Sequence, residues 1–182
     1  MKRRTLALIL GLILAFGLTA CGGSEEPAPA ETNEATETET EEPAAAEKTE
    51  YKIGETWTVD GLWEMTVTGV TETADRNEYE EKEPAAVYIV DYTYTNIGFE
   101  DDTGLWDGLY LSADSSIIDN AGTMGYSYPG NTSYYPQETP VGATCTAQAC
   151  IGVDNAGSFK LNVSQYDNDG NNHKATFLVE VN

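Results

Sequence analysis

From Ala86 to Thr95 the chain reads Ala-Val-Tyr-Ile-Val-Asp-Tyr-Thr-Tyr-Thr, which puts Tyr88, Val90, Tyr92 and Tyr94 on one side of an extended backbone and Ile89, Asp91, Thr93 and Thr95 on the other. Successive side chains alternate between two faces in a β-strand, whereas a helix would scatter these tyrosines around its circumference. The stretch is predicted to be a central strand with its tyrosine face inward. The same period of two, built from Thr, Tyr and Val, recurs over residues 51–182. No window of about eleven residues carries a helical stripe, so the domain is expected to be all-β.

Turn residues divide the remaining strands. Thr56 to Val59 leads through Asp60-Gly61 into Leu62 to Thr71, where Trp63, Met65 and Val67 share a face and Gly69 interrupts the alternation as a bulge would. Ala74 to Pro84 is charged and irregular, a connection. Gly108 to Ala113, with Leu109 and Leu111 aligned, reads as a strand, and Asp119-Asn120-Ala121-Gly122 as a turn between Ile117-Ile118 and Met124 to Tyr128. Ala143 to Val153, Phe159 to Tyr166 and Lys174 to Val181 complete the set. About eight strands so spaced, ending in a hairpin, fit two packed antiparallel sheets better than a closed barrel.

The run Tyr88-Ile89-Val90-Asp91-Tyr92-Thr93-Tyr94-Thr95-Asn96, followed by Pro140-Val141-Gly142 opening a long strand, resembles the immunoglobulin-like or telokin-like domains of unknown function carried by lipoproteins of Gram-positive bacteria. The resemblance covers residues 51–182. It implies an immunoglobulin-like antiparallel β-sandwich at a cell surface, and it brings no catalytic residues with it. The Cys-Trp-Cys arrangement of antibody-type domains is missing from this sequence.

The N-terminus supplies an address. Lys2, Arg3 and Arg4 form a basic region, Leu6 to Leu18 an apolar one, and Leu18-Thr19-Ala20-Cys21 resembles the lipobox of bacterial lipoproteins. The apolar run from Thr5 to Ala20 is shorter than the roughly 20 residues that a bilayer-spanning helix needs. The resemblance implies removal of residues 1–20 and lipidation of Cys21, and two acyl chains are what stable anchoring requires. The chain is therefore expected on the extracellular face of the cell membrane, held there by lipid.

Charge narrows the partners. The chain carries −22, and loss of Lys2, Arg3 and Arg4 with no acidic residue takes the processed form to −25. Such a charge repels phosphate backbones and anionic headgroups, which argues against nucleic-acid binding and adsorption to lipid. Residues 21–50, after Cys21 itself, hold ten acids, one lysine and many Ala, Thr and Pro, with nothing aromatic or large and aliphatic to seed a core. They are expected to form a disordered acidic tether.

Candidate chemistry is sparse. Cys145 and Cys150 fall within one expected strand, where five extended residues span about 16 Å, too far for a disulfide. Cys145 should pack in line with Ala147, Ala149 and Ile151, with Cys150 pointing away from that face. Asp167-Asn168-Asp169-Gly170-Asn171-Asn172 offers oxygens that suit calcium. Counted from Asp167, however, Gly170 is fourth and Leu178 twelfth, and the EF-hand loop requires glycine sixth and an acid twelfth. A polar turn explains the segment better. The loop with Glu100, Asp101, Asp102 and Asp107 is a second, weaker calcium candidate and reads better as a solvated loop.

Tyr126, Tyr128, Tyr134 and Tyr135, flanking Pro129-Gly130-Asn131, are the best candidates for a ligand-contact surface, since tyrosine offers wide amphipathic area at small entropic cost. The competing reading is that alternate tyrosines pack inward around an ordinary turn. The lone histidine, His173, has no Ser or Cys at a nucleophile motif spacing, and there is no phosphate-binding glycine loop and no zinc spacing. No catalytic, cofactor or metal residues are assigned. The expectation is a non-catalytic binding or interaction module whose partner is a surface protein or a cell-wall component. The alternative is an extracellular hydrolase using surface carboxylates.

Overall fold

The computed structural model describes residues 48–181. The signal segment, Cys21 and the tether as far as residue 47 lie outside the described residues. Within them run nine strands and no helix: β1 (Glu50–Lys52), β2 (Thr56–Val59), β3 (Trp63–Thr73), β4 (Ala86–Asn96), β5 (Ile117–Asp119), β6 (Tyr126–Ser127), β7 (Thr144–Val153), β8 (Phe159–Tyr166) and β9 (Asn172–Val179). They form two sheets, one ordered β1-β9-β8-β5 and the other β2-β3-β4-β7-β6. Every pairing is antiparallel except that of β1 with β9. The inner faces of the two sheets share one core, and the fold is a β-sandwich.

The alternation in β4 makes it the centre. Tyr88, Val90, Tyr92 and Tyr94 are all buried in the core, and β3 and β7 flank the strand on either side. Tyr88 stacks on Phe159 of the facing sheet, with ring centroids 5.1 Å apart. Trp63 lies at one end of the core, edge-on to Trp57 at 5.8 Å and to Phe99 at 5.8 Å. Full burial of an apolar side chain such as Val90 or Phe159 stabilises the fold by about 1.5–3 kcal/mol relative to exposure. The β2–β3 hairpin turns at Asp60-Gly61, where Gly61 takes the positive φ of 73° that the tight turn needs. The register of β3 on β4 slips between Val67 and Gly69, which is the expected bulge.

Three features differ from the sequence reading. Gly108 to Ala113 is not a strand: a single bridge joins Leu109 to Thr139, and Leu111 and Ala113 go into the core as loop residues. Tyr92 Oη donates to the Leu111 carbonyl at 3.4 Å, so the apolar pattern reports a strap that turns its side chains into the core rather than a place in a sheet. The fold also begins before Tyr51, because β1 starts at Glu50 and Thr176 N donates to Thr49 O at 2.8 Å. A strand of three residues is too short for alternation to reveal. Finally, β9 starts at Asn172 rather than Lys174 and stops at Val179.

The turn after β5 carries the chain from one sheet to the other. Asp119 is buried there, with Oδ1 accepting from the Ala121 and Thr123 amides and Oδ2 from the Asn155 amide and its Nδ2. Burial pushes this carboxyl's pKa up, but the hydrogen bonds from Asn155 and the turn outweigh it and the net direction is down. In β7, Cys145 pairs opposite Tyr94 and packs against the main core, while Cys150 pairs opposite Ile89 and is buried on the other face with Val87 and Tyr128. Both are free thiols.

Candidate functional site

The loop that leaves β4 is built on Asn96. Its amide is buried, donating from Nδ2 to the carbonyls of Phe99 and Thr139 at 2.8 Å each and accepting at Oδ1 from Phe99 N at 2.8 Å. Phe99 is thereby set against Trp63, and the chain is aimed outward. Asp101 then organises the next turn: Oδ1 accepts from Thr103 N, Oδ2 accepts from the amides of Leu105 and Trp106, both at 2.9 Å, and the Thr103 hydroxyl lies within 2.8 Å of both oxygens. Those bonds, first that from the Thr103 hydroxyl, lower the pKa of Asp101 and keep it charged. The loop returns at Gly108, whose positive φ and missing Cβ let it pass against the Thr139 carbonyl, where any larger residue would collide.

A second loop rises from β8. Asp167 closes it, with Oδ1 accepting from Asn171 N at 2.8 Å and Oδ2 from Asn171 Nδ2 at 2.9 Å, and with Oδ2 lying 2.8 Å from His173 Nε2. The His173 contact is the largest cause of a carboxyl held well below the usual range. Asn168 Nδ2 donates to the Glu100 carbonyl at 2.6 Å and joins the two loops. The two segments that the sequence offered as separate calcium candidates are therefore neighbours. Among the described residues, no three His, Cys, Asp or Glu side chains converge as a metal ligand set.

Between the loops lies a cleft of about 520 Å³, lined by Leu105, Trp106, Tyr110 and Tyr166 together with polar residues of both loops. These apolar side chains face solvent: Leu105 is 79% exposed, Trp106 54%, Tyr166 59% and Tyr110 41%. Trp106 and Tyr110 stack at 6.3 Å between centroids and 28° between planes, forming a ledge. A contiguous exposed apolar group rimmed by polar residues is the usual mark of a contact surface. Burial, then the nearby Asp114 carboxylate, raises the Tyr110 phenol pKa, so it stays protonated as a hydrogen-bond donor.

The four tyrosines expected to form a contact surface divide into two pairs. Tyr128 is buried on the outer face of the β2-containing sheet, and its hydroxyl accepts from Asn77 N at 2.8 Å. Tyr126 is half-buried beneath Lys82, whose Nζ lies 3.6 Å from the ring centroid. Tyr134 and Tyr135 are exposed. Tyr135 and Tyr110 line a second hollow of about 300 Å³, so Tyr110 is common to both recesses. Sequence reading missed Leu105, Trp106, Tyr110 and Tyr166. The available signal was a tryptophan set between Asp102 and Asp107, a place where no core could cover it.

No protein-family profile matches the chain, and no curated protein matches it either. Among solved structures it is similar to that of a candidate lipoprotein (ycdA) of Bacillus subtilis, with 14% identity and a TM-score of 0.47. That likeness covers 64% of this chain and 36% of the other, so it takes in only about a third of the Bacillus protein.

Proposed function

We propose that this chain is a lipid-anchored protein of the extracellular face of the cell membrane, with an immunoglobulin-like sandwich that serves as a non-catalytic binding module. Leu18-Thr19-Ala20-Cys21 supports the anchor, and Cys21 is the lipidated residue. The observation that carries the binding role is the solvent-facing Trp106–Tyr110 ledge in the cleft between the two loops. Burying aromatic rings of this size against a partner removes large apolar areas from water, and such residues commonly dominate binding energy. Tyr135, on the adjoining hollow, widens the same surface.

Three of the aspartates are engaged in their own turns and are poorly suited to act as a general acid. Asp101, Asp119 and Asp167 all have lowered pKa values, so each stays a charged acceptor for its own turn. A general acid needs the opposite displacement. The reading is tested in two parts. Labelling cells with a lipid precursor should mark the wild-type chain and not Cys21→Ala, and an alanine variant that still partitions with membranes would overturn the anchor. Trp106→Ala should retain the fold and lose at least about tenfold in retention on isolated cell envelopes. Undiminished retention would overturn the cleft as the binding seat.

A further inference from the structure

The cleft adjoins a stretch of strand edge with which no strand pairs among the described residues. β5 pairs with β8 only from Phe159 to Leu161, and Asn162 N then donates to Ser116 O at 2.8 Å. Backbone groups alternate sides along a strand, so Ser164 and Tyr166 also turn their N–H and C=O groups toward the β5 side, where the Tyr166 carbonyl accepts only a long bond of 3.4 Å from Gln165 Nε2. Among the described residues no strand lies there, and neither amide hydrogen donates to another backbone group on that side. Tyr166 belongs to this edge and to the cleft wall. An unpaired edge of this kind is a template for an added strand.

Charge selects the occupant. Asp101, Asp102 and Asp167 line the cleft, and no lysine or arginine does. Asp101 and Asp167 are engaged in their own turns, whereas the Asp102 carboxylate has no hydrogen-bond or ion-pair partner in the described structure. Electron-rich faces of exposed Trp and Tyr attract lysine and arginine side chains. A processed chain carrying −25 draws in a cation and repels an acidic segment, including its own tether.

We propose that the cleft receives a basic peptide segment in extended conformation, which adds its backbone to the β8 edge at Ser164–Tyr166 and lays a lysine or arginine side chain on the Trp106–Tyr110 ledge in the cleft lined by Asp102. This rests on the reading of the cleft as the ligand seat and specifies what fills it. Backbone hydrogen bonds supply sequence-tolerant affinity, and the ledge with its carboxylate supplies preference for a cation.

The test uses the full-length chain in neutral detergent and an array of five-residue peptides alternating lysine or arginine with valine. Of the three tryptophans, Trp57 and Trp63 are buried, so acrylamide quenching of fluorescence reads Trp106. Basic peptides should protect Trp106 from quenching. Affinity should fall about tenfold or more when the lysines are acetylated or the amides facing β8 are N-methylated, and should fall with added salt. Isotope-detected titration should show the same loss for Asp102→Asn and for Trp106→Ala.

Equal binding of acetylated or N-methylated peptides overturns the proposal. So does protection of Trp106 by a neutral cell-wall oligosaccharide without protection by any basic peptide, an outcome that keeps the cleft as a ligand seat and changes its ligand. If no probe protects Trp106 and Trp106→Ala leaves envelope retention unchanged, the seat falls together with the occupant.

Discussion

His173 Nε2 lies 2.8 Å from the carboxylate of Asp167 while the same imidazole stands edge-on to Trp63, with centroids 5.4 Å apart. Trp63 also meets Phe99, so one buried indole supports the stems of both loops that form the cleft. The turn at 167–171 is thus tied to the core through a contact that depends on a charged carboxylate.

That dependence sets a pH prediction. A carboxyl with a depressed folded pKa adds stability that is present above its unfolded value, about 3.9, and disappears as pH falls through the folded value. Asp167 is displaced in that direction. The difference in Tm between wild type and Asp167→Asn should therefore be complete at pH 6 and shrink steadily as pH drops below about 4. A difference that stays constant from neutral to acid pH would show that the carboxylate charge is irrelevant to the turn.

Asn96 is the buried bracket at the base of the first loop, with three hydrogen bonds at 2.8 Å. Asn96→Ala removes the partner of the Phe99 amide and carbonyl and one of the two donors to the Thr139 carbonyl, which still accepts from Leu109 N at 3.0 Å. Urea denaturation should show a loss of about 2–3 kcal/mol, together with faster amide exchange at Phe99. A loss within about 0.5 kcal/mol would mean that the loop is held by other contacts.

Gly108→Ala tests the return of that loop. The added methyl would meet the Thr139 carbonyl at a positive φ, so the variant should lose about 1–3 kcal/mol and the Trp106 environment should change. Unchanged stability and unchanged Trp106 quenching would contradict the close approach.

The cysteines give a chemical check on the β7 register. Burial raises the Cys150 thiol pKa, whereas Cys145 is partly accessible. In native protein a thiol reagent should label Cys145 first, with Cys150 slower by at least about tenfold until the chain unfolds. Peptide mapping without reductant should find no bridge between them. Equal labelling rates, or a bridge, would require a different register.

The elements that the sequence made legible are those in which one periodicity persists. β4 and β3, each with a buried apolar face opposite a more polar one, announce both their conformation and their inward face. Gly69 marked the bulge because it broke that pattern. Leu109 and Leu111 misled, since a loop that turns alternate side chains into the core produces the same spacing as a strand does. The cleft was hidden for another reason. Its two walls lie about sixty residues apart in sequence and are joined by one amide-to-carbonyl hydrogen bond, from Asn168 to Glu100, which local pattern cannot encode. Tyr128 was conspicuous in composition yet is turned into a small second core with Val87 and Cys150.

Contact between the Trp106 ledge and the partner can be read most directly in intact cells by placing a benzophenone amino acid at position 106 or, as a control, at position 79. Tyr79 is 87% exposed but does not line the cleft. Irradiation should give a discrete crosslinked product from position 106 and none from position 79, and excess free basic peptide should suppress it. Equal crosslinking from both positions, or none from position 106, would contradict that contact.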